Sequence, residues 1–131
     1  MIAVQWGEYL KSKGLATVAD IFFDFQPNAP DNCITLYNET APAPLESQAL
    51  AMDLWGLQVL VRNTSNSQAR AKALAIHKAI IGLSGKVGTV TVDDVYVITA
   101  PTTIGRDEKN RAEWSAHYSY RMESSGDEFR T

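Results

Sequence analysis

Residues 54–83 carry two hydrophobic periods in succession, and no other stretch restricts the fold as much. The segment opens as LWGLQVLVRN, where Trp55, Leu57, Val59 and Val61 fall on alternate positions, the period of a strand that buries one face. It then passes into SNSQARAKALAIHKAIIGL, where Ala69, Ala73, Ile76, Ile80 and Leu83 recur at helical spacing. Arg70, Leu74, His77 and Ile81 form an adjacent stripe, which predicts a wide buried arc. Thr64, Ser65 and Ser67 stand at the junction, where their hydroxyls can accept backbone N–H groups at the helix start. Gly82 and Gly85 can end the helix, since glycine takes the left-handed conformation without strain. A strand feeding a helix through a short polar turn makes a two-layer unit, in which each covers the apolar face of the other.

The remaining chain supplies further strands. Residues 2–13 read as a short helix with Ile2, Trp6, Tyr9 and Leu10 on one side, ended by Gly14. Residues 20–25 and 33–37 read as strands, with a proline- and asparagine-rich turn over 26–32 that allows a hairpin between them. Residues 38–53, with Pro42 and Pro44, read as a long irregular loop. Because this loop holds Leu45, Leu50 and Met52, it is expected to pack on something. Short apolar runs at 89–92 and 94–99 predict two strands with a kink or tight turn between them around Asp93, followed by a turn-rich loop over 101–110. Residues 111–122 alternate most cleanly. Ala112, Trp114, Ala116, Tyr118, Tyr120 and Met122 fall on a core face, and Arg111, Glu113, Ser115, His117, Ser119 and Arg121 on a face that is wet or meets a partner. The polar segment 123–131 reads as a flexible C-terminal tail. The expected fold is therefore α+β: one domain over residues 1–131, with a mostly antiparallel sheet, one long helix packed on one face, and a short N-terminal helix.

Its 131 residues suit one domain, with 45% hydrophobic and 21% charged residues, as in ordinary globular chains. A net charge of −3 speaks against a duplex nucleic-acid binder. Lys11, Lys13, Lys72, Lys78 and Lys86 are scattered over two helices and a loop rather than gathered on one face. No apolar run approaches transmembrane length, and the N-terminal stretch lacks the pattern of a signal peptide, so no membrane partner and a reducing, cytoplasmic origin are expected. Cys33 is the one cysteine and sits in an apolar segment, where a buried, inert thiol is expected.

Catalysis needs titratable groups that converge. His77 falls on the helix flank, where it is expected to bond a backbone group, and His117 falls on the polar face of the last strand. Neither has metal-ligand spacing with a Cys, Asp or Glu. Gly82-Leu-Ser-Gly85-Lys86 follows a helix, whereas a phosphate loop precedes one, and Val87 stands where Ser or Thr would hold magnesium. Asp93 and Asp94 are adjacent on extended chain and point to opposite faces, so they cannot act as an acid/base pair. The expectation is a chain with no catalytic residues, no cofactor and no metal.

Several pieces in order along the chain resemble one family. They are GEYLKSKGL, IFFDFQPNAPDNCITLYNETAPAP, LWGLQVLVRNTSNSQARAKALAIHKAIIGLSG and PTTIGRDEKNRAEWSAHYSYRME. The most telling are Pro30-Asp31-Asn32 before an apolar strand, Val61-Arg62-Asn63 before an alanine-rich helix, and Gly105-Arg106-Asp107 before Arg111-Ala-Glu-Trp114. In these the chain resembles the tail-terminator (tail-completion) proteins of long-tailed bacteriophages, which include a group labelled minor capsid protein. The resemblance implies a structural virion protein at the tail–head junction, assembled in the bacterial host cytoplasm. It implies a hexameric ring of copies, monomeric before assembly in some cases, that caps the tail tube, stops its polymerisation and joins the head. The implied partners are other copies, the tail tube protein and a head-completion or connector protein, with DNA only as passing cargo. Leu45, Leu50 and Met52 are the residues expected to meet the neighbouring copy. Two other readings stay open: another head–tail connector, and a small ligand-binding or enzymatic domain, which requires a concave polar pocket.

Overall fold

A computed structural model describes residues 2–39, 52–81, 83–88 and 90–123. The elements in chain order are α1 (Ile2–Ser12), β1 (Ile21–Phe23), β2 (Cys33–Glu39), β3 (Met52–Asn63), α2 (Asn66–Ile80), β4 (Gly85–Val87), β5 (Val90–Arg106) and β6 (Ala112–Glu123). The strands make one sheet in the order β1-β2-β3-β6-β5-β4. β1 runs parallel to β2, and the other neighbours are antiparallel. At the centre β3 pairs with β6 over its whole length, from Met52 opposite Glu123 to Asn63 opposite Ala112.

Both helices lie on one face. Trp6 of α1 meets Tyr120 edge-on at 5.2 Å between ring centroids. His77 of α2 lies 2.7 Å from the hydroxyl of Tyr118, two residues earlier on β6. The helices touch as well, since the Tyr9 hydroxyl donates to the carbonyl of Ala79 at 2.8 Å. Between the layers Trp6, Leu10, Leu36, Leu57, Val61, Ile76, Ile80, Val87, Val92, Tyr118 and Tyr120 are fully buried. Each such aliphatic side chain contributes about 1.5–3 kcal/mol relative to an exposed one. Gly7 lets α1 approach β1 closely, because a Cβ there would press on the Phe23 ring.

The two periods of residues 54–83 appear as β3 and α2. Ala69, Ala73, Ile76 and Ile80 are the buried stripe of α2. The second stripe is not covered along its length: Arg70 and Ile81 are exposed, and the buried arc is narrower than expected. Ser65 is the N-cap, its hydroxyl accepting from the amide of Gln68. The helix stops at Ile80 with Ile81 in extended conformation as its C-cap; of the two glycines expected to end it, Gly82 lies outside the described residues, and Gly85, at φ +140°, opens β4 instead.

Three expectations need correction. The strands flanking 26–32 form no hairpin. They are parallel, because Asp24 at φ +60° turns the chain out of β1 and the loop runs back to the end where β1 began. The segments 89–92, 94–99 and 101–110 are not two strands and a loop, because Val90–Arg106 is one strand and the turn is confined to the residues around Asp107–Asn110. Its register against β6 shifts between Asp93 and Val95, where the kink was expected, and again between Val97 and Thr99, Thr99 and Thr102, and Thr103 and Gly105. Pro101 falls within the third shift, where no ladder N–H is required. Finally, the second face of β6 is not simply wet, since Ser115 and Ser119 are buried. Gln58 Nε2 on β3 donates to Ser115 Oγ at 3.1 Å, so a long side chain from the adjacent strand closes over a short one.

Candidate functional site

The three telling sequence pieces meet at one end of the sheet. Arg62 donates from Nη2 to the carbonyl of Pro30 at 2.6 Å and from Nε to that of Asp31 at 3.1 Å. Arg111 donates from Nη1 to the carbonyl of Asn28 at 2.6 Å and pairs with the carboxylates of Asp107 at 2.8 Å and Asp31 at 3.3 Å. Both arginines are buried. Asn32 accepts the amide of Thr64, and Asn66 accepts the indole N–H of Trp114. Asp107 also accepts the amides of Arg111 and Lys109. The backbone N–H of Arg111, then its guanidinium, hold the Asp107 carboxyl below the usual carboxylate range. The guanidiniums are directed at carbonyls and carboxylates of the same chain, so this end of the sheet fixes the loop over 26–32 and the start of α2. It acts as a scaffold for those two segments.

The groups weighed for chemistry stay apart. His77 bonds the hydroxyl of buried Tyr118 rather than a backbone group. His117 lies on the opposite sheet face, 3.5 Å from Ser115 Oγ. Among the described residues no three His, Cys, Asp or Glu side chains gather as metal ligands. Cys33 is buried, and burial pushes its thiol pKa up against the lowering influence of Arg62 and Arg111. A cavity of about 40 Å³ beside Cys33, Arg62 and Lys72 has room for a few waters, far below the several hundred Å³ of a typical ligand site.

The chain does expose apolar side chains, and these define two edges. β4 pairs with β5 only from Val90 to Val92. From Val95 to Arg106, among the described residues, no strand pairs with the outer edge of β5. Along that stretch Tyr96 is 43%, Val97 37%, Ile98 57% and Ile104 57% exposed. A long free edge is usually blunted by lysine, proline or a covering element, yet residues 95–106 contain no lysine and a single proline. At the other end of the sheet Val18 is 83% and Phe25 67% exposed, before and after β1.

Sequence reasoning missed both edges. The run Val95-Tyr-Val-Ile98 was legible as strand, but four consecutive apolar residues did not say which were covered. Ile104 stood in a segment read as loop. Of the residues expected at a subunit contact, Leu45 and Leu50 lie outside the described residues. Met52 is the first residue of β3, opposite Glu123. The tail from residue 124 onward also lies outside them.

The sequence model of the family described as "Bacteriophage tail terminator protein" matches residues 9–123. Among solved structures, a chain of one titled "Virion of native gene transfer agent (GTA) particle" is similar at TM-score 0.67 and 18% identity, with 93% of this chain and 96% of that chain covered. At that identity the likeness is one of fold. No curated protein matches the sequence.

Proposed function

Because the chain belongs to the bacteriophage tail terminator family, we propose that its copies form a ring on the end of a tail tube, stop tube growth and present the surface that joins the head. At the coarser level the protein is a structural component of a phage-type virion tail. The observation that carries the finer reading is the free edge of β5. Among the described residues it is long, largely apolar and unpaired, interrupted by Pro101 and four register shifts, and a permanently monomeric protein that left it bare would be prone to edge-to-edge aggregation. Ring contacts are heterologous, with one patch meeting a different patch on the next copy until the circle closes.

The number of copies in that ring is six in this reading, and the subunits stay monomeric until a tube end is present, since binding the tube favours the assembled state by mass action. The further partners are the tube protein below and a head-completion or connector protein above. DNA passes through without being read, and assembly takes place in the cytoplasm of the bacterial host. Leu45, Leu50 and Met52 contribute to the contact between copies. Changing all three to alanine is expected to leave the monomer folded and to lower the number of rings formed on added tube ends. An unchanged number of rings would remove them from the contact.

The test of function is a comparison of tail lengths by electron microscopy, with and without the protein. Tubes of uncontrolled length in its absence are expected. A uniform, normal length without it would refute the capping role.

A further inference from the structure

We infer that copies join head to tail through the two edges of the sheet: the outer edge of β5 in one copy, over residues 95–106, lies against the β1 corner of the next copy, with Val18 and Phe25 as its apolar contacts. This rests on the ring reading and specifies which surfaces make the ring.

Three observations favour a second copy as the occupant. First, among the described residues all but one of the exposed large apolar side chains form two unlike groups at opposite ends of one sheet, Val18 and Phe25 beside β1, and Tyr96, Val97, Ile98 and Ile104 on β5, while Ile81 at the end of α2 belongs to neither. A copy covers both groups with a single kind of contact. Second, β1 is the terminal strand of the sheet and pairs only with β2 among the described residues. Among the described residues no strand pairs with its outer side, nor with the outer side of β5 beyond Val92. Pairing them continues the sheet from copy to copy, and the main-chain hydrogen bonds supply part of the affinity. Third, neither edge carries a lysine: residues 18–25 and 95–106 contain none. Lysine, one device against edge pairing, is thus absent at the two places where pairing is inferred, while Pro101 and the register shifts of β5 and the shortness of β1 remain.

Val18, Phe25, Ile98 and Ile104 are all well exposed, so replacing them leaves the monomer core intact. A Phe25→Cys/Ile98→Cys double variant, added to tubes grown without the protein and treated with a short bis-maleimide, is expected to give a ladder of covalent oligomers on a denaturing gel. Cys33 is buried, and each single variant is expected to give no ladder. Rings visible on the tube ends without any ladder would overturn this inference while leaving the ring reading intact. Absence of rings with the unmodified protein would overturn both. A second pair of variants separates head-to-tail from symmetric contacts. Phe25→Asp and Ile98→Asp should each abolish rings on tube ends. If two β5 edges instead paired with each other, Phe25→Asp would form rings like the parent, and that result would refute the head-to-tail contact.

Discussion

Arg111 gathers one end of the sheet with a single side chain, reaching Asn28, Asp31 and Asp107 from a buried position. Removing one member of such a set strands the others, and the cost is set by how much solvent reaches them. Asp31 is largely exposed and Asp107 partly so, so Arg111→Met is expected to destabilise by less than the ~3–5 kcal/mol of a fully buried broken pair, read from the urea midpoint. Asp107 makes the same place sensitive to acid. Its carboxyl pKa is lower in the folded chain than in the unfolded one. Its contribution is therefore present above the unfolded value, near pH ~4, and is lost as pH falls through the folded value. Unfolding midpoints taken across that range should fall on acidification, with a shallower fall in Asp107→Asn. The residues of this cluster were visible in the sequence as Pro30-Asp31-Asn32, Arg62-Asn63 and Asp107 to Trp114. Their meeting was not, because Arg111 and Asp31 are separated by most of the chain and no local period records a contact of that range.

At the scale of elements, what was legible is what carries a period. β3 alternates and α2 repeats at helical spacing, and Leu57, Val59 and Val61 on the one and Ala69, Ala73, Ile76 and Ile80 on the other are buried, whereas Trp55 and Leu83 are only partly so and the second helical stripe is not covered. The capping junction of Thr64, Ser65 and Ser67 was legible for the same local reason, though not which of them caps; it is Ser65, and Ser65→Ala is expected to cost about 1 kcal/mol in thermal or urea unfolding. β5 was not legible as one strand, because its four register shifts break alternation and Pro101 imitates a loop. Since Pro101 sits in one of those shifts, Pro101→Thr is expected to change monomer stability by no more than about 0.5 kcal/mol. It should increase aggregation by adding an amide to the free edge, which turbidity on mild heating would show. The parallel pairing of β1 with β2 was also hidden. Two short strands and a nine-residue connection are compatible with a hairpin, and neither the turn at Asp24 nor the distant arginines that hold the loop leave a local period.

For the whole molecule, order and spacing along the sequence pointed to a virion component more clearly than any single residue did. Assembly function leaves no catalytic signature, because its chemistry is the shape and polarity of surfaces. Those surfaces became visible only once the sheet order was known, with β1 at one end and the uncovered length of β5 near the other. The most direct measurement is image averaging of tube ends after the purified protein is added to tubes grown without it. A closed ring on one end, in which neighbouring subunits touch through β5 and β1, is the result expected. Protein scattered along the tube wall, or tube ends left bare at saturating concentration, would contradict it.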